Sequence, residues 1–176
     1  MTKLILLDAY AIIYRSYYAL LRTPRINSQG LNTSAIMGFC NTLHEVLTKE
    51  QPDYIGVAFD HGKTFRHEKF PAYKAQRQET PEDIKRSVPI IQDILGALRI
   101  PVLQKDGFEA DDVIGTLATE AGRQGITTYM MTPDKDYGQL VSDRVFMYRP
   151  KHTGGFEVMG TEEVKTKFNI QTTEQV

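Results

Sequence analysis

Lys3-Leu-Ile-Leu-Leu7 is a short, mostly apolar run that ends on Asp8, and the same pattern returns three more times along the chain. Tyr54-Ile-Gly-Val-Ala-Phe59 ends on Asp60, Ile100-Pro-Val-Leu103 leads to Glu109, Asp111 and Asp112, and Thr127-Thr-Tyr-Met-Met131 leads to Asp134 and Asp136. Runs of this length, bounded by turn residues, read as buried strands. Helical patterns lie between them, and alternating β and α units predict an α/β fold with a mostly parallel, twisted sheet flanked by helices. Sites in such sheets form beyond the carboxyl ends of the strands. All seven carboxylates fall there.

That much negative charge at one edge needs cations to neutralise it, and a donor set made only of oxygens suits magnesium or manganese. Taken alone, each motif has a plainer reading. Glu109-Ala-Asp111-Asp112 is also what the first turn of a surface helix looks like, because acids favour the positive end of the helix dipole. Thr132-Pro-Asp134-Lys-Asp136 is also an ordinary aspartate-rich turn. Their recurrence after successive strands favours a metal-dependent phosphoryl-transfer site. Helical spacing places Glu109 and Asp112 on one face, at i and i+3, with Asp111 displaced around the axis.

Between the strands, Ala11 to Leu21 and Ser34 to Lys49 carry apolar residues at helical spacing, ended by Thr23-Pro24 and Gln51-Pro52. Thr80-Pro81-Glu82-Asp83 predicts a helix start with Thr80 as cap and Pro81 in first position, running towards Leu98 and kinked or divided at Pro89. Ala110 to Gln124 predicts a helix stopped by Gly125. Tyr137 to Val141 predicts a helical turn, Val145 to Tyr148 a strand, Gly154-Gly155 a turn, and Thr161 to Phe168 a last helix. Thr172-Thr-Glu-Gln175 has the form of a further helix cap, which suggests that the natural chain continues past Val176.

The chain has 176 residues and is 41% hydrophobic, enough for a single domain with a core that needs no disulfide. Cys40 is the only cysteine and lies in an apolar helical stretch, which fits an inert core role and a reducing cytoplasm. No run of about 18 apolar residues and no signal pattern is present, so no membrane partner is expected. None of the four histidines, His44, His61, His67 and His152, is placed beside a nucleophile, and phosphate-cradling glycine loops are missing. The net charge of -1, from 21 bases and 22 acids, conceals an uneven distribution. Residues 61 to 78 are strongly basic: Lys63, Arg66, Lys69, Lys74 and Arg77 alternate with Phe65, Phe70 and Tyr73 and are opposed only by Glu68. Lacking clean periodicity and interrupted by Pro71, this stretch reads either as a mobile solvated loop or as a segment over the acids that draws in phosphate and stacks unpaired bases.

Together, Leu-Leu-Asp8 with Tyr14-Arg15, Ala58-Phe59-Asp60, Thr64-Phe65-Arg66, Tyr73-Lys74-Ala75-Gln76-Arg77, Glu109-Ala-Asp111-Asp112 and Thr132-Pro-Asp134-Lys-Asp136 resemble the 5' nuclease domain of bacterial DNA polymerase I, in the family of phage 5' exonucleases and flap endonucleases. The resemblance covers essentially the whole chain. It implies a PIN-like α/β domain over residues 1–176, with a basic arch at 61–80 that admits a 5' single strand. It implies two Mg2+ ions, replaceable by Mn2+: Asp8, Asp60, Glu109, Asp111 and Asp112 at the first, directly or through water, and Asp134 and Asp136 between the two. The catalytic residues implied are Asp8, Asp60, Asp112 and Lys74, the lysine on the scissile phosphate, with Arg15, Lys63, Arg66, Lys69, Tyr73, Lys74 and Arg77 binding nucleic acid. The partners implied are DNA with 5' flaps, nicks or RNA primers and a polymerase in the same parent chain; the oligomeric state stays open, with a monomer expected. Two family features are not found: a Gly-Asp-x-x-Asp-Asn segment and the helix-hairpin-helix that grips duplex DNA. The expectation is therefore an incomplete second metal site and weak turnover by the isolated chain. A PIN-type ribonuclease with fewer acids, or a non-catalytic nucleic-acid-binding fragment, is the competing reading.

Overall fold

The computed structural model describes residues 1–76, 78–151 and 155–176. Six strands form one sheet: β1 (Lys3–Asp8), β2 (Tyr54–Ala58), β3 (Val102–Leu103), β4 (Thr127–Met131), β5 (Val145–Pro150) and β6 (Phe156–Met159). Their spatial order is β3-β2-β1-β4-β5-β6. The first five run parallel, with Leu7 opposite both Val57 and Met131, and only β6 is antiparallel, against β5. β1 is therefore central, and the chain leaves it to build outward on both sides.

Strand residues alternate between two cores, as the pleat requires. Ile5, Leu7, Val57, Phe59 and Met131 face helices α1 (Ala9–Ala19), α2 (Ser34–Glu45) and α4 (Glu82–Ala97). Leu6, Ala58, Met130 and Met147 face α5 (Ala110–Arg123) and α6 (Thr161–Phe168). Every strand in the middle of this three-layer stack is covered on both sides, which is why its sequence reads as a continuous apolar run. A short helix α3 (Phe65–Lys69) lies outside the stack and buries no residue.

Several details differ from the expectation. α4 runs unbroken through Pro89, which sits at its exposed surface. Pro81, not Thr80, is the residue that caps this helix, and the Thr80 hydroxyl bonds Tyr14 Oη instead, at 2.8 Å. The end of α2 widens into a π-turn at Val46–Glu50 before Gln51 turns the chain with φ of 45°. The segment expected as Ile100 to Leu103 pairs only over its last two residues. β6 had no strand signal, and the Gly154 half of the turn before it lies outside the described residues, as does His152. The cap at Thr172 opens a single 3-10 turn, Thr173–Gln175.

Candidate metal and nucleic-acid site

Asp8 closes β1 and caps α1: its Oδ1 accepts from Ala11 N–H at 3.1 Å, and its Oδ2 accepts from the Thr132 hydroxyl at 3.2 Å. Thr132 Oγ1 in turn accepts from Asp134 N–H at 3.2 Å, so one threonine joins the tips of β1 and β4. Asp60, just past β2, accepts from Ala110 N–H at 2.8 Å, one of the unpaired amides at the start of α5. Asp111 Oδ1 accepts from the Tyr137 hydroxyl at 2.7 Å. Asp134 caps a 3-10 turn at Lys135–Leu140 by accepting from Asp136 N–H at 3.0 Å. These side chains are held by backbone amides and neutral hydroxyls.

Glu109 and Asp112 are held differently. Gly107, with φ of +80°, turns the chain into α5, and its carbonyl accepts from Phe65 N–H at 2.9 Å, which moors the basic segment beside the acids. Arg66 then places its fork on Asp112, at 2.7 and 2.8 Å, and comes within 3.6 Å of Glu109. Asp112 also accepts from Glu109 N–H at 3.0 Å. Lys74 Nζ reaches Glu109 Oε1 at 2.6 Å, and the Tyr73 hydroxyl donates to Oε2 at 3.1 Å. The shared Arg66 contact places Glu109 and Asp112 on one face, as their spacing predicts, and Asp111 turns the other way to Tyr137.

The electrostatics follow this division. Burial pushes the Asp8 carboxyl up to about 6, with Asp111 and Asp60 adding repulsion. Asp111 still reaches solvent, yet the surrounding protein displaces enough water to raise its carboxyl as well, helped by Asp134 and Asp60 and opposed by the Tyr137 hydroxyl. The Arg66 fork holds Asp112 below the usual carboxylate range, and the same contact raises the guanidinium. Burial and then Asp111 keep the Tyr137 phenol protonated far above its ordinary value, so it remains a donor.

Two clefts adjoin at Asp111. One, of about 970 Å³, is walled by Asp8, Asp60, Asp111, Asp134 and Lys74, with Tyr10 and Tyr14 opposite. The other, of about 790 Å³, is walled by Arg66, Tyr73, Glu109, Asp111, Asp112 and Asp136. All seven acids thus line one or the other of two clefts that share Asp111. Among the described residues, no three of them are drawn together in a ready ligating arrangement. The cations on Glu109 and Asp112 account for part of this.

Of the residues expected to bind nucleic acid, Arg66, Tyr73 and Lys74 reach the clefts. Lys63 is exposed, and Lys69 lies over the Phe65 ring at 5.7 Å rather than toward the acids. Arg15 is exposed on α1 and borders a separate small hollow beside Pro133 and Phe156. Arg77 lies outside the described residues. Sequence reasoning did not single out Thr132 and Tyr137, which hold Asp8 and Asp111. A signal existed for both: Tyr137 adjoins Asp136, and Thr132 stands two residues before Asp134 in the same turn.

A family model described as the 5'-3' exonuclease, N-terminal resolvase-like domain matches residues 3–169. The chain is 47% identical over 147 residues to a DNA polymerase I of Treponema pallidum, covering 83% of this chain and 15% of that protein. It is 39% identical over 172 residues to a 5'-3' exonuclease of Aquifex aeolicus, covering 97% of this chain and 58% of that one. Its fold is similar to that of the bacteriophage T5 flap endonuclease, solved in a pseudo-enzyme-product complex with DNA and metal ions. There the TM-score is 0.70 at 18% identity, over 98% of this chain and 63% of the other. The chain spans only part of each relative. No helix among the described residues is long and apolar enough to cross a membrane. The parallel sheet with its acidic edge, the basic segment moored over it and the match over residues 3–169 lead to one conclusion: this chain belongs to the family of 5'-3' exonuclease N-terminal, resolvase-like domains, with the PIN-like nuclease fold.

Proposed function

We propose that the chain is the metal-binding part of a 5'-3' exonuclease and flap endonuclease that hydrolyses phosphodiester bonds of DNA at 5' flaps, nicks and RNA primers, as the N-terminal part of a DNA polymerase I acting in the cytoplasm. The observation that carries the reading is the run of seven carboxylates from the ends of successive strands into two clefts joined at Asp111, with Arg66 and Lys74 beside them. The donors are all oxygen, which suits Mg2+ with Mn2+ as substitute. Burial raises the Asp8 and Asp111 carboxyls and neighbouring carboxylates add to it; a divalent cation seated among them would favour their ionised forms. The donor set therefore fits such ions: Asp8, Asp60 and Asp111 would hold the first, joined by Glu109 and Asp112, and Asp134 and Asp136 would serve between the sites. Bound by these residues, such ions would supply an activated water and stabilise the leaving oxygen.

The chain's own residues have separate tasks. Lys74 and Arg66 draw the phosphate toward the acids, with the Arg66 fork able to match two phosphate oxygens. The Tyr73 hydroxyl occupies one oxygen of Glu109. Thr132 holds Asp8 together with the Ala11 amide, and Tyr137 holds one oxygen of Asp111, so both carboxylates keep a fixed orientation at the cleft wall. Asp112→Asn in the longer parent enzyme is expected to lower flap cleavage by about a thousandfold or more, roughly 4 kcal/mol of barrier, with DNA affinity retained or raised. Cleavage at the parent's rate would remove Asp112 from the site.

A further inference from the structure

We infer that Arg66, Tyr73 and Lys74 form a releasable clasp on Glu109 and Asp112, through which divalent cation and substrate phosphate bind cooperatively by exchanging partners. The inference rests on the metal-dependent nuclease reading above and deepens it. Both oxygens of Asp112 face the Arg66 fork at 2.7 and 2.8 Å, and both oxygens of Glu109 are taken by Lys74 and Tyr73 at 2.6 and 3.1 Å. A cation seated on either carboxylate competes with these donors for the same oxygens. A phosphate is an equivalent partner for the guanidinium fork and the ammonium. When phosphate takes the cations and the metal takes the acids, no charge is left without a counterpart, whereas either ligand alone leaves half of the exchange undone. Asp60, Asp111 and Asp134, by contrast, accept on one oxygen from an amide or a hydroxyl, and Asp8 accepts on both from such uncharged donors, which compete less strongly with a cation than a guanidinium or an ammonium does.

The clasp is also built to open. Lys74 adopts φ of 57°, in the left-handed region that a side chain with a Cβ enters at a cost. α3 is five residues long and buries none of them, so lifting Arg66 does not breach either core.

The test is Mn2+ binding by this chain, read from the EPR signal of free aqueous Mn2+, with and without a 5'-phosphorylated single-stranded oligonucleotide. Arg66→Lys keeps the charge but loses the fork and is expected to bind Mn2+ about fivefold more tightly than the parent without oligonucleotide. Tyr73→Phe makes the same test at Glu109, with a gain of about twofold. Lys63→Gln removes a neighbouring cation that makes no ion pair with either acid, and its Mn2+ affinity should stay within about twofold of the parent. In the parent, saturating oligonucleotide should tighten Mn2+ about tenfold, Mn2+ should tighten the oligonucleotide by the same factor, and Arg66→Lys should lose most of that coupling. Equal or weaker Mn2+ binding by Arg66→Lys, a gain in Lys63→Gln as large as in Arg66→Lys, or no coupling in the parent overturns the clasp and leaves the metal site standing. Absence of saturable Mn2+ binding by any form overturns the metal reading, and the clasp with it.

Discussion

The two halves of the site are held in place by different physics. Asp8, Asp60 and Asp134 stand at or just past the ends of strands, Asp111 stands in the first turn of α5, and all four are oriented by the framework itself, through helix-end amides, Thr132 and Tyr137. Glu109 and Asp112 are held by side chains from residues 64–76, a stretch whose helix buries nothing. The first arrangement persists as long as the sheet does; the second can be undone locally. The sharpest way to break this contrast is to truncate one aromatic from each side. Phe59 is fully buried where β2 meets Asp60, and Phe59→Ala should lower stability by about 3–5 kcal/mol in chemical denaturation. Phe70, 61% exposed, should tolerate the same change within about 0.5 kcal/mol. A large loss at Phe70 would place the segment inside the cooperative unit.

A smaller effect is expected where framework and site meet. Tyr137 is buried, and its hydroxyl is a donor to Asp111. Tyr137→Phe leaves that carboxylate short of a donor and should cost about 1–2 kcal/mol. Thr132→Val removes a donor to Asp8 and an acceptor for Asp134 N–H at once, with a loss of similar size. Thermal melting checks both. If neither variant moves Tm, the framework does not need these bonds to orient its acids.

The same division sets what could be read from the sequence. The strands were legible because burial on both faces leaves an apolar signature, and the acids were legible because each comes after such a run, Asp8 and Asp60 at once and the others after a turn. β6 was not: its residues pair only on one edge and alternate little, with Val158 still 48% exposed. Nor was α3, since a helix without a buried face carries no periodicity to detect. Pro89 misled for a related reason. A proline is read as a break, yet here the apolar face of α4, with Ile84, Ile91 and Leu95 fully buried, holds the helix together through it while Pro89 points to solvent. Pro89→Ala restores a missing helical N–H and is expected to raise stability by about 1 kcal/mol in urea denaturation, less than the full propensity difference because the proline also restricts the unfolded chain.

The finest distinction concerns α3 itself. Thr64 N–H donates to His67 Nδ1 at 3.1 Å, the Thr64 hydroxyl lies 2.9 Å from the same nitrogen, and the imidazole meets the Tyr73 ring edge-on at 5.3 Å between centroids. His67 thus ties the start of the short helix to the residue that grips Glu109. In His67→Phe the ring contact is preserved while the nitrogen acceptor is lost, which isolates the hydrogen bond. Loss of a helix-start bond of this kind is worth about 0.5–1 kcal/mol, but it should fall on local opening and not on the global transition, because nothing in α3 is buried. Amide exchange at Phe65 to Lys69 should accelerate about threefold or more, while Tm and exchange in β1 and β4 remain as in the parent. Equal acceleration in the central strands would mean that residues 64–76 open only together with the sheet, and the two halves of the site would then be one.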